Sequence, residues 1–175
     1  WLFKKARVLA IFDDLFVAYP VVGEDKGRLY RSLIAEGIGR LAASGRGDAL
    51  SEFHLLAGIA ACHVSPTTDW MRIASLYAEL ERRNPTWLVR LNRAVAISYA
   101  DGPAAGLAAL KSLPPAPATT AWSLHAARAD MFRRMNSADE ARAEYEMAAS
   151  LAPSAAERRF FERRTQTPDQ GRVAP

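Results

Sequence analysis

The chain has 175 residues, half of them hydrophobic, which is enough for one domain with a real core and excludes a disordered chain. Its net charge of +4 and pI near 9.5 invite a nucleic-acid reading. Most arginines, however, stand among acids, as at Glu79, Glu81, Arg82 and Arg83 or Asp139, Glu140, Arg142 and Glu144. Interleaved signs mark a solvated helix face rather than a phosphate-binding stripe.

The single cysteine, Cys62, allows no intrachain disulfide and fits a reducing, cytoplasmic setting. The apolar stretch from Trp1 to Val22 is broken by Lys4, Lys5, Arg7, Asp13 and Asp14, so it is neither a membrane span nor a secretory leader. No membrane partner is expected. The chain opens on Trp1 rather than a methionine, which predicts that it is a fragment.

Residues 1–24 read as an N-terminal helix and linker, with Leu2, Ala6, Leu9 and Phe16 on one face and Pro20 and Gly23 as its end. Leu15 to Val22 is also compatible with a short strand. Helical periodicity then predicts helices over Gly27–Ala43, Leu50–His63, Asp69–Arg83, Thr86–Tyr99, Ala104–Leu113, Thr120–Met135, Ala138–Leu151 and Ala155–Arg164. Thr68 before Asp69, and Ser137 before Asp139 and Glu140, are expected to cap helix starts through hydroxyl and carboxylate groups. Pro103 suits a first turn, where no amide hydrogen is needed. Residues 165–175 are expected to form a flexible tail.

The breaks fall at regular intervals, which points to repeats. Phe132, Ala141, Tyr145, Ala148 and Pro153 stand at the spacing of a tetratricopeptide hairpin. A looser copy with Ala60, Ala61, Tyr77 and Leu80 ends at Pro85, and an Ala-rich copy lies between Asn92 and Leu110. The expected fold is all-α. It is a right-handed stack of antiparallel helical hairpins (irregular tetratricopeptide-like repeats) over residues 25–164, closed by a C-terminal capping helix. In that cap Phe160 and Phe161 seal the open groove while Glu157, Arg158, Arg159 and Glu162 face water.

Little in the sequence points to catalytic chemistry. Cys62-His63 and Asp13-Asp14 are adjacent on helices and diverge by about 100°, so neither pair can share a metal. Ser123 and His125 are too close along one helix to act as nucleophile and base. Glycine-rich phosphate loops and paired-histidine metal motifs are missing from the sequence. No catalytic residue, metal site or cofactor is expected.

Polar residues within apolar or Ala-rich helices are the better candidates for binding. Asn92 and Arg93 lie in Leu91-Asn92-Arg93-Ala94-Val95-Ala96, and His125, Arg128 and Asp130 in His125-Ala126-Ala127-Arg128-Ala129-Asp130. A buried amide or guanidinium must be hydrogen-bonded or it costs about 1–3 kcal/mol. Asn92 therefore either ties one hairpin to the next or meets a partner, and Arg128 either pairs with a nearby acid or faces a groove. Trp70, near a helix start, packs the core or anchors a partner.

Several phrases together resemble one known family. They are Leu33-Ile34-Ala35-Glu36-Gly37, Thr68-Asp69-Trp70, Leu91 to Ala96, Asp101-Gly102-Pro103-Ala104-Ala105-Gly106-Leu107, His125 to Asp130 and Ala156-Glu157-Arg158-Arg159-Phe160. In this order, over Asp25 to Arg164, they resemble the tetratricopeptide-like C-terminal extension of bacterial extracytoplasmic-function sigma factors. The resemblance implies a non-catalytic region that modulates transcription initiation through the sigma core domains or RNA polymerase. It also implies that promoter DNA is read by upstream domains, so this chain alone binds no specific DNA. A free-standing scaffold that binds a peptide is the alternative.

Overall fold

The structure, a computed structural model, describes residues 51–64 and 67–166. The expected helix and linker at 1–24, the alternative strand from Leu15 to Val22, the helix Gly27–Ala43 and tail residues 167–175 lie outside the described residues. The described residues form seven helices and no strand: α1 (Glu52–Val64), α2 (Trp70–Arg83), α3 (Trp87–Ala100), α4 (Pro103–Lys111), α5 (Ala121–Arg134), α6 (Ala138–Leu151) and α7 (Ala155–Gln166). The fold class is all-α. None of these helices is long and apolar enough to cross a membrane.

The chain divides into two compact units, Trp1–Ala96 and Ile97–Pro175, with the boundary inside α3. In the first unit α1 packs on α2. Ile73, Tyr77 and Leu80 recur at helical spacing along α2 and meet Leu55 and Ile59 of α1, with Ala96 beside them. Leu55 and Ile73 are fully buried, and burial of each contributes about 1.5–3 kcal/mol. At one end of the hairpin Asn84 Nδ2 donates to Glu52 Oε2 at 3.2 Å.

The second unit is built on small residues. α5 buries Ser123, Ala126, Ala127, Ala129 and Met131, and α6 buries Ala141, Tyr145, Ala148 and Ala149. Alanine at these positions lets two helix backbones approach, and the aromatic side chain of Tyr145 fills the space left. α7 then closes the unit with Phe161, which is 0% exposed. Its ring lies 6.2 Å from that of Trp122 and 6.4 Å from that of Tyr145. Phe160 does not share this burial. It remains half-exposed, meets Phe161 edge-on, and is covered on its face by the Arg164 guanidinium at 5.3 Å.

The helix starts differ in detail from expectation. Asp69, not Thr68, caps α2, its carboxylate accepting from the Arg72 amide at 2.9 Å. A charged acceptor at the positive end of the helix dipole is the stronger cap. At α6 the Ser137 hydroxyl makes no capping bond. The turn is closed by backbone instead: Asn136 adopts a left-handed conformation (φ 58°), and Ser137 N donates to Phe132 O at 3.0 Å. Asp139, expected in that cap, pairs with Arg142 at 2.6 Å. Pro103 occupies the first turn of α4 as expected. The last helix runs two residues past Arg164, so Thr165 and Gln166 belong to it rather than to the tail.

One contact sets the closeness of α3 and α4. A Cβ added to Gly106 would stand 2.2 Å from Ser98 Cβ and 2.9 Å from Ser98 Cα. On an exposed helix, Gly→Ala stabilises by about 0.5–1 kcal/mol. Here backbone would have to move, so the sign reverses. Gly106→Ala is expected to destabilise by about 1–3 kcal/mol in urea denaturation; a stabilised variant would show that the two helices are not this close.

Candidate interaction site

The six residues singled out in the sequence fall into both units. In the first, Trp70 opens α2 and sits half-buried, with its indole edge-on to the His63 ring at 5.3 Å. It packs against the Leu55 and Ile73 cluster, a core role with one face left to solvent. Asn92 is buried, at 8% exposure. Arg93 is half-exposed and donates to Glu81 Oε2 at 2.8 Å, while Arg90 holds the other oxygen of that carboxylate at 3.2 Å.

In the second unit, His125 and Arg128 meet on one acid. His125 Nδ1 lies 2.7 Å from Glu144 Oε2, and Arg128 Nη2 lies 2.7 Å from Oε1. A carboxylate only accepts, so the proton of this bond resides on Nδ1. The Glu144 side chain is largely shielded, while that of Arg128 keeps 40% exposure. One edge of the guanidinium is thus held by the protein and the rest is open to solvent. Of the two roles the sequence allows Arg128, pairing with an acid or facing a groove, the first is met by Glu144.

Asp130 belongs to a different, more enclosed network. Its carboxylate accepts from Arg133 at 2.8 Å, Arg134 at 2.9 Å and the Tyr99 hydroxyl at 3.2 Å. Arg134 continues to the Ser98 carbonyl at 2.9 Å, and its guanidinium lies 4.1 Å above the Tyr99 ring. This arrangement pins the end of α3 to the end of α5, so Asp130 holds the fold rather than offering a contact surface.

Glu81 and Glu144 are the residues that sequence reading missed, because each looked like one more acid on a charged helix face. A signal for them existed. Trp87, Arg90, Arg93 and Ala94 recur 35 positions later as Trp122, His125, Arg128 and Ala129. In each set, two basic side chains one turn apart close on a single glutamate of a neighbouring helix.

Burial pushes the Cys62 thiol above its ordinary value, aided by the Asp69 carboxylate and opposed by Arg72, which disfavours the reactive thiolate. Among the described residues no three His, Cys, Asp or Glu side chains are grouped to hold a metal ion. What the arrangement offers is directional donors from arginines whose positions are fixed.

No family model matches the chain, and no solved structure matches it. An uncharacterised protein of Rhizobium meliloti (strain 1021) is 31% identical over 164 residues, which covers 91% of this chain. The chain spans 38% of the length of that relative.

The Tyr99 network has a pH signature. Burial and the facing Asp130 carboxylate push the Tyr99 hydroxyl well above the ordinary value of 10, and burial raises Tyr145 as well. Above pH 10 the unfolded chain therefore loses these protons first, while the folded protein still holds them. Stability is complete below that pH and falls as pH rises through it. Urea midpoints should fall from about pH 10 upward and keep falling until the folded-state Tyr99 ionises, and Tyr99→Phe should flatten that slope while Tyr145 keeps part of it. An unchanged slope in the variant would remove Tyr99 from the account.

Proposed function

We propose that this chain is a non-catalytic regulatory region of a bacterial extracytoplasmic-function sigma factor. It modulates transcription initiation by contacting the factor's own core domains or RNA polymerase. The observation that carries the reading is the repeated device of half-exposed arginines fixed by a shielded glutamate, Arg93 on Glu81 and Arg128 on Glu144. Arginine held in place loses less side-chain freedom on binding and presents a planar fork to a carboxylate or carbonyl. That is equipment for recognition.

Helix spacing supports the finer architectural reading of irregular tetratricopeptide-like hairpins. α1, α3, α5 and α7 begin at residues 52, 87, 121 and 155, and α2, α4 and α6 at 70, 103 and 138. Successive starts within each series differ by 33 to 35 residues, the period of such repeats. α7 is then the half-repeat that caps the last hairpin through Phe161. The sigma-factor reading itself rests on the ordered phrases from Leu33 to Phe160. It also agrees with a relative in which the matching stretch is the smaller part of the protein.

The test uses a reporter driven by the full-length factor. Arg128→Ala removes a charge-assisted donor and should weaken the regulatory contact roughly tenfold, about 1.4 kcal/mol. Reporter output should change accordingly, with the factor's cellular level unchanged. Unaltered output from a folded variant would contradict the assignment of Arg128 to the contact.

A further inference from the structure

α6 and α7 pack against each other in the second unit, and their net charges are of opposite sign, with Arg158, Arg159, Arg163 and Arg164 against Glu157 and Glu162 on α7. α6 carries Asp139, Glu140, Glu144 and Glu146 against Arg142 alone, in a chain that is net basic. Glu144 is taken up by His125 and Arg128, and Asp139 by Arg142. Glu140 and Glu146 are exposed and form no ion pair with another described residue. On α7, Arg158 and Arg159 are likewise exposed and form none.

Between these charges lies apolar surface. Met147 is 46% and Leu151 41% exposed, and with Glu140 and the exposed Ala143 they fall at steps of three and four along α6. Such residues form one stripe. Ala143 permits close approach, and Met147 can adapt its unbranched side chain to an opposing surface. One stripe of the unit is thus acidic and apolar, and the next helix is basic.

We propose that this surface pairs with a second copy of the chain about a two-fold axis. The acidic α6 stripe of each protomer then faces the basic α7 of its partner. A two-fold axis applies every contact twice, so both sets of unused charges are neutralised at once. Met147 and Leu151 supply the apolar centre and the charges its rim. The two helices are only about 21 Å and 18 Å long at ~1.5 Å per residue. That extent suits a weak, concentration-dependent dimer rather than an obligate one.

The experiment is sedimentation velocity on the full chain over a range of protein concentrations. The expected result is a monomer–dimer equilibrium at ~0.05 M salt that shifts to monomer at ~0.5 M, where exposed charges are screened. Reversing the acids (Glu140→Arg with Glu146→Arg) or the bases (Arg158→Glu with Arg159→Glu) should each yield a monomer. Mixing the two variants should restore a dimer, because each heterologous contact again joins opposite charges. A wild-type chain that stays monomeric at every soluble concentration overturns the proposal. So does a dimer that persists through both reversals, or variants that remain monomeric when mixed.

Discussion

A carboxylate as shielded as that of Glu144 is tolerated only while hydrogen-bond donors and a cation face it. Removing an ion from water costs several kcal/mol, and attraction offsets that cost only when the geometry is close. His125 and Arg128 meet the requirement at 2.7 Å each, one on each oxygen. Three consequences follow for the second unit. The rotation of α5 is set, because two of its side chains must reach one point on α6. The Arg128 side chain is held at the surface instead of sweeping through solvent. The Ala-rich contact beneath it, with Ala126, Ala129, Ala141 and Ala148 buried, is kept in register.

The same economy of volume runs through the rest of that unit. Gly106 stands where α4 crosses Ser98, Ser98 in turn presents its carbonyl to Arg134, and Arg134 reaches Asp130 and the Tyr99 ring. A helix crossing too close for a Cβ thus sits one residue from a charged network. Phe161 contributes the large apolar side chain that the alanines do not, lying between Trp122 and Tyr145. Small residues bring the helices together, one aromatic cluster closes the end, and carboxylate–arginine contacts set the angles.

Much of the fold was legible in the sequence. Proline, glycine and asparagine mark nearly every helix boundary, and Ala141, Tyr145 and Ala148 fall on the buried face that their spacing predicts. Cap chemistry was less legible, because Asp69 outcompetes Thr68 by charge and the turn at Asn136 replaces the Ser137 hydroxyl with backbone bonds. Phe160 and Phe161 look equivalent in the sequence. Adjacent residues on a helix point about 100° apart, so only one can enter the core. At the candidate site the cations were visible as polar residues in Ala-rich helices. Their glutamates were not, since nothing local separates a shielded acid from a solvated one. Asp130 was grouped with Arg128 by proximity along the chain, although its bonds make it part of the scaffold.

In the proposed function, Glu144 fixes Arg128 for contact with a partner. The decisive comparison is Glu144→Gln in the proposed full-length factor, since glutamine keeps the shape and an acceptor but drops the charge that holds the guanidinium. Reporter output is expected to shift in the same direction as for loss of the Arg128 side chain, while circular dichroism shows helical content retained. Unchanged output from a folded Glu144→Gln protein would contradict it, because Arg128 would then work without being held.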